Sequence, residues 1–295
     1  MLGTPGFFNQ VPVEFPVANY TLTLPSDHPL IALLDPTSPR HQPYREAGLI
    51  RLVQALQKLG RGGTIIDVGA NVGDSCAIIH RLSTLPILCL EASDFFFPYL
   101  EQNISRHFAD RAIARQAFVL AEPGDTPAGL YHVAGTAKAV DQPCSESGGA
   151  LAMSEVLDLA GSTALLKVDV DGLDLGLVSA VLAHGQPRYP IYFELELIGQ
   201  TLDQIRADGA RAQMLFRQAA AAGYGNAYLW DDAGRFYGRL DTGDAGALAN
   251  VLNYRAHCRN RPVWGFDIAL LHRDDAALIA ELESGLAVNA VMPLR

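Results

Sequence analysis

The feature that most constrains this chain is the stretch from Thr64 to Leu82, where a short β-branched run, TIIDV, enters a glycine-bearing turn and passes at once into a helical pattern. Strand, tight loop and helix in that order form half of a βαβ unit, and such units assemble into α/β domains whose parallel sheets carry helices on both faces. The pattern repeats. Pro86 to Glu91 reads as a second buried strand, Asp94 to Phe108 as a helix capped by Ser93 or Asp94, and Ala112 to Ala121 as a third strand. Ala164 to Val170 and Tyr189 to Leu195 read as the fourth and fifth strands, separated by a helix over Leu173 to His184. Gln204 to Ala222 reads as a long helix. Tyr224 to Trp230 pairs with Arg235 to Gly238, and Gly265 to His272 is the last buried strand, so any antiparallel edge is expected from these late strands.

A chain of 295 residues suits one large domain with additions. Residues 1–43 read as an ordered N-terminal arm with a small strand at Tyr20 to Leu24. The domain proper covers 44–295 and opens with a helix over Tyr44 to Leu59. Residues 122–149, rich in Gly, Pro, Ser and acids, read as a long loop with one short strand at Gly129 to Val133, and 231–262 as a C-terminal insertion. The formal charge of -10, with no basic cluster, argues against a nucleic-acid partner and for a small-molecule or glycan ligand. Four scattered cysteines and the absence of a basic, apolar leader or a membrane-length apolar run point to a reducing, cytoplasmic setting without a membrane span. A homo-oligomer is compatible with this composition.

Ligands of such sheets sit beyond the carboxyl ends of the strands, at the point where strand order reverses, so the loop after the first parallel strand matters most. It runs Asp67-Val-Gly-Ala-Asn-Val-Gly-Asp74, with glycines at 69 and 73. A dinucleotide fingerprint needs glycine where Asn71 and Asp74 stand, and a carboxylate at the head of that helix repels a pyrophosphate. A cationic nucleotide reverses the sign. S-adenosylmethionine carries a sulfonium and an ammonium that Asp67 and Asp74 could neutralise. Glu91, 24 positions after Asp67, stands where a strand-end carboxylate accepts ribose hydroxyls. Each residue also has a plain structural reading, as a turn, a helix-terminal charge or a surface acid.

These residues resemble the FkbM family of S-adenosylmethionine-dependent methyltransferases. Ile66 to Asp74 (IDVGANVGD) is similar to its first motif, Glu91-Ala-Ser to its second strand ending, and Leu166 to Asp174 (LKVDVDGLD) to its Lys-Ile-Asp-Val-Glu-Gly-x-Glu motif, in the same order. The likeness covers about residues 62 to 200, with Asp171 and Asp174 standing where the family usually has Glu. It implies a Rossmann-like class I methyltransferase fold with a mostly parallel seven-stranded sheet. It further implies a cofactor site of Asp67, Gly69, Ala70, Asn71, Gly73, Asp74, Glu91, Ala92 and Ser93, and transfer of a methyl group to a hydroxyl of a sugar, glycan or secondary metabolite.

Methyl transfer asks the protein to align acceptor and sulfonium, exclude water and accept a proton. Lys167, Asp169 and Asp171 alternate along the end of the expected fourth strand and so share a face, which makes them the catalytic candidates. By resemblance to small-molecule O-methyltransferases of this fold, Asp169 with Glu194 could hold Mg²⁺, against the alternative of a Lys167–Asp171 structural ion pair. The histidines lack zinc spacing, and no G-x-S-x-G elbow supports a hydrolase. Phe95, Phe96 and Phe97 could wall an adenine, and Tyr224 to Trp230 with Phe236 and Tyr237 could stack on a sugar, although core packing explains both. The rival readings are a noncatalytic nucleotide-binding or scaffold module and an NAD-dependent oxidoreductase.

Overall fold

The computed structural model describes residues 11–125, 128–133, 136–143, 148–185, 187–196, 202–257 and 265–287. An antiparallel hairpin, β1 (Pro12–Val17) and β2 (Tyr20–Pro25), turns at Ala18 and Asn19, both at positive φ, and leads through α1 (Pro29–Leu34) to α2 (Ala47–Lys58). The alternating core follows: β3 (Thr64–Val68), α3 (Asp74–Leu82), β4 (Ile87–Glu91), α4 (Phe97–His107) and β5 (Ala112–Leu120). A separate hairpin, β6 (Ala128–Val133) and β7 (Thr136–Pro143), precedes β8 (Gly149–Ala152) and α5 (Met153–Ala160). Then come β9 (Thr163–Val168), α6 (Asp174–Ala183), β10 (Ile191–Glu196) and α7 (Leu202–Ala221). The chain ends with β11 (Tyr224–Asp231), β12 (Phe236–Asp241), α8 (Ala245–His257), β13 (Gly265–His272) and α9 (Ala276–Ala287).

Among the described residues one sheet holds nine strands in the order β12-β11-β13-β10-β9-β3-β4-β5-β8. From β8 through β10 all neighbours are parallel, while β13 runs antiparallel to both β10 and β11. The inner seven strands therefore follow a Rossmann-like order with one antiparallel strand slipped between the last two, the class I methyltransferase arrangement. The seven-stranded sheet that the resemblance implies becomes nine because β8 and β12 extend the two edges. β12 overlaps the strand read at Arg235 to Gly238, whereas the four residues of β8 carry no β-branched signal.

Two apolar layers hold the sheet. On one face α2, α3, α4 and α9 bury residues such as Leu52, Ile79, Leu100 and Leu282, joined by Val17, Leu22 and Leu24 of the first hairpin. On the other, α5 to α8 bury Val156, Val178, Phe216 and Leu252. Burying a side chain of this kind contributes roughly 1.5–3 kcal/mol. The arm is thus part of the core. Asn103 fixes it there, accepting from the Thr23 N–H and donating to the Thr23 and Val72 carbonyls at 2.8 to 2.9 Å.

Three sequence expectations change, and one, core packing of the late aromatics, holds. The 122–149 loop, read with one short strand at Gly129 to Val133, pairs that strand, β6, with β7 as a hairpin, and β8 begins at its end. The fourth parallel strand ends at Val168 rather than Val170, because Asp171 and Gly172 turn at φ 27° and 96°. The 231–262 insertion contributes α8, whose Leu248 and Leu252 belong to the core. Tyr224, Tyr228 and Trp230 are fully buried packing residues, with only Phe236 and Tyr237 of that group exposed. No helix among the described residues is long and apolar enough to cross a membrane.

Candidate active site

Strand order reverses between β3 and β9, and there the loops at the carboxyl edge part to leave a cleft. Gly69 and Asn71 supply one wall, Glu91 and Ala92 the next, and Asp169 and Asp171 face them. Ala117 and Phe118 make an apolar end, and Leu130 and Ala137 of the second hairpin line its mouth. Six of the residues singled out in the sequence are brought together here: Gly69, Asn71, Glu91, Ala92, Asp169 and Asp171.

The loop is folded onto the end of β4. Gly69 and Ala70 both donate to the Leu90 carbonyl, at 2.9 and 3.0 Å, and Gly73 donates to Ala70 at 2.8 Å. Asn71 adopts φ 48° and donates its N–H to Glu91 Oε2, while Ser93 N–H reaches Glu91 Oε1, each at 2.8 Å. Glu91 thus braces two loops at once. Burial foremost lifts its pKa to about 7, against these backbone donors. Gly69, at φ 80°, packs so tightly on the β9 loop that a Cβ there would lie 1.8 Å from the Asp169 carbonyl oxygen. Its glycine serves chain against chain as much as chain against ligand.

Asp67 and Lys167 do not reach the cleft, which corrects their placement beside cofactor and methyl group. Asp67 is fully buried and Lys167 is 2% exposed; they face each other across β3 and β9, 3.1 Å apart. Ser75 Oγ donates to the second oxygen of Asp67 at 2.5 Å, and Lys167 Nζ also meets Asp169 at 3.2 Å. Burial lowers the Lys167 pKa, but Asp169, Asp67 and Glu46 together hold it well above the ordinary lysine value. The expected alternation of Lys167, Asp169 and Asp171 fails because the strand has ended. Lys167 lies beneath, Asp169 comes forward with a third of its side chain open, and Asp171 sits on the turn. Lys167 pairs with Asp67 and Asp169, not with Asp171.

The remaining candidates support the site from behind. Ala70 and Ser93 are fully buried, Ser93 Oγ accepting from the Phe95 and Phe96 N–H groups. Gly73 is the N-cap of α3 at φ 90° and Asp74 its first residue. Phe96 is buried in the core, with Phe95 and Phe97 packed against it, in line with the core-packing reading, and the aromatic ring lining the cleft is Phe118.

Asp169 and Glu194 meet through a side-chain hydrogen bond. Burial and the charge of Lys167 oppose each other at Asp169, and its pKa ends below the carboxylate norm. Glu194 is pushed well above it, by burial first and then by Asp169 and Asp267, which makes Glu194 the protonated donor. No group of three or more His, Cys, Asp or Glu side chains among the described residues is arranged to hold a metal. The Mg²⁺ expectation at Asp169 and Glu194 is therefore not carried into the chemistry.

Several site residues carried no motif. His28 in the arm bonds Asn71 Oδ1 through Nε2 at 3.2 Å, and burial lowers its pKa. Arg45 and Glu46, 3.5 Å apart, precede α2, and both interact electrostatically with Asp74 and Asp169. Glu46 sits at φ 60°, a left-handed conformation that a side chain of its size adopts at a cost of roughly 1–3 kcal/mol. The sequence pattern places Arg45 and Glu46 inside a helix over Tyr44 to Leu59, whereas the helix begins only at Ala47, after the left-handed Glu46.

No family model matches the chain, and no curated protein matches it. Among solved structures, it resembles an O-methyltransferase from Bacillus cereus in complex with SAH, at 15% identity and TM-score 0.43 over 76% of this chain and 80% of that one. It also resembles precorrin-6y C5,15-methyltransferase from Geobacter metallireducens GS-15, at 12% identity and TM-score 0.40 over 76% and 88%. A third likeness is to geranyl diphosphate C-methyltransferase from Streptomyces coelicolor A3(2), at 12% identity and TM-score 0.41 over 79% and 85%.

Proposed function

We propose that this chain is an S-adenosylmethionine-dependent O-methyltransferase of the FkbM kind, acting on a hydroxyl of a sugar, glycan or secondary metabolite. The observation that carries the reading is Asp169: a carboxylate kept ionised by a buried lysine, partly open, on the wall of a cleft at the strand-order reversal. The residues present fit the cofactor. Glu91 has about four acceptor positions, of which the backbone N–H groups of Ser93, Asn71 and Ala92 take three, leaving capacity for a ribose hydroxyl. Phe118 and Ala117 offer an apolar seat to a base, and the acidic loop suits a ligand with positive charge.

When bound, the cofactor supplies a methyl group already activated on a sulfonium. Asp169 accepts the proton of the acceptor hydroxyl as the new oxygen–carbon bond forms; a carboxylate of low pKa cannot deprotonate a free alcohol beforehand, so proton and methyl move together. Lys167 holds Asp169 ionised and oriented, and Asp67 with Ser75 holds Lys167. The second hairpin, through Leu130 and Ala137, shields the cleft mouth from water.

Calorimetric titration with S-adenosylmethionine, S-adenosylhomocysteine and NAD tests the reading. Binding of the first two without NAD is expected, and Asp169→Asn should keep binding while turnover of any acceptor falls at least about 100-fold. Preference for NAD, or undiminished turnover in the variant, would overturn it.

A further inference from the structure

One edge of the nine-stranded sheet stands open. Among the described residues β12 pairs with β11 on one side and with no strand on the other. Its six residues, FYGRLD, include neither the lysine nor the proline that commonly blunts such an edge. The one bulge against β11 falls at Tyr237, so Gly238 to Asp241 run in unbroken register. Phe236 and Tyr237, 42% and 46% exposed, set two large apolar side chains next to each other at this edge.

The backbone decides which groups the edge offers. Thr242, next after the strand, donates its N–H to the Gly225 carbonyl of β11. N–H groups alternate from side to side along a strand, so those of Gly238 and Leu240 also turn to β11, while Arg239 and Asp241 turn N–H and C=O outward. Side chains alternate too. Arg239 lies opposite Tyr228, on the face that carries α9, and pairs with Glu283 at 2.7 Å. Asp241 shares that face, and Leu240 packs on the other.

We infer that β12 pairs antiparallel with the β12 of a second copy of this chain, centred on Leu240. A two-fold interface must be self-complementary, and this register is. Arg239 and Asp241 of one copy exchange backbone hydrogen bonds with Asp241 and Arg239 of the second copy, using only groups that point outward. On one face their side chains form a square in which each guanidinium meets a carboxylate and like charges lie on the diagonal. On the other face the two Leu240 side chains meet. Centring one residue to either side would set Arg239 against Arg239 or Asp241 against Asp241, and an offset between these would oppose side chains from different faces. That self-complementarity points to a second copy rather than to an unrelated strand. A guanidinium has donors to spare, so Arg239 keeps Glu283 while it meets the aspartate across the axis. The pairing joins two nine-stranded sheets into one and turns their carboxyl edges to opposite sides, so neither cleft faces the other.

Sedimentation velocity of the full chain over a concentration series tests the inference. Wild-type protein should show a monomer–dimer equilibrium in the micromolar range. Arg239→Glu sets acid against Asp241, and Asp241→Lys sets base against Arg239, so each variant alone should dimerise at least about tenfold more weakly, by about 1.4 kcal/mol. Both side chains are exposed, so the fold is not at stake. Mixing the two variants should restore most of the lost affinity, since every contact then joins opposite charges, and the doubly substituted chain should dimerise with itself. Wild-type protein that stays monomeric throughout, single variants that dimerise as tightly as wild type, or a mixture and a double variant no tighter than the single variants would overturn the inference.

Discussion

Asp174→Asn should stabilise this protein at alkaline pH and leave it unchanged in acid. Asp174 is 3% exposed at the first turn of α6, and its Oδ1 accepts the Val170 N–H at 3.0 Å. Burial first, then the charges of Asp169 and Asp171, push its pKa from 3.8 up to about 8. A carboxyl raised on folding contributes most below its unfolded value; that contribution is lost as the pH rises toward the folded value, because the unfolded chain ionises and the native state resists. The loss is about 1.4 kcal/mol per pH unit for one proton, or roughly 4 kcal/mol between pH 5 and 8. Asparagine keeps the acceptor oxygen, replaces the acid O–H by an N–H and carries no charge. For 295 residues the unfolding entropy is about 0.6 kcal/mol/K, so the variant should melt about 6 °C higher at pH 8. Urea denaturation of both proteins at pH 5, 6, 7 and 8 measures the difference in slope. Glu91 titrates in the same window but equally in both proteins, so it cancels. Parallel slopes, or a variant less stable at pH 8, would refute the reasoning.

Gly69→Ala sets a Cβ 1.8 Å from the Asp169 carbonyl oxygen at φ 80°, and should weaken S-adenosylhomocysteine binding at least about 100-fold by titration, with roughly 2–4 kcal/mol of stability lost. Lys167→Met strands Asp67 without its cation and should cost about 3–5 kcal/mol in urea, part of it recovered when Asp67→Asn is added, because only Asp169, a third open to solvent, then lacks the lysine. If the Lys167 variant folds, the acid limb of its pH–rate profile should move upward, since Lys167 is what lowers Asp169; an unmoved limb would make Lys167 merely structural. Asn103→Ala removes three buried hydrogen bonds between α4, the first hairpin and the cofactor loop, and should cost roughly 2–4 kcal/mol by denaturant titration.

The sequence displayed those elements whose local pattern and burial agree. β3, α3 and β13 lie at the boundaries the residues suggested, since each is an apolar or amphipathic run bounded by glycine or polar residues. The cofactor cradle was legible for the same reason: Gly69, Asn71 and Glu91 belong to one short strand-loop-helix-strand segment. Depth was not legible. Asp67 has the look of a ligand residue, and only its alignment with Lys167, 100 positions away in sequence, shows it to be the buried half of an ion pair. The cluster of Arg45, Glu46, Tyr192 and Asp267 draws on three separated stretches that share no spacing. β6 is legible as the strand at Gly129 to Val133, but its partner β7 escaped because TAKAVDQP lacks the β-branched alternation that announces a sheet.

β13 is made after all the other strands of its sheet, yet it lies between β10 and β11 and hydrogen-bonds to both. Until residues 265–272 leave the ribosome, two apolar strands present open edges with nothing to pair with except each other or another chain. Synthesis therefore imposes an order: the cofactor half of the sheet can form early, whereas the half bearing Glu194 waits for the last strand to be threaded in. A nascent or truncated chain lacking β13 should be a client of chaperones and a seed for aggregation. Slowed translation just before residue 265 would lengthen that exposure more than a pause at any earlier strand.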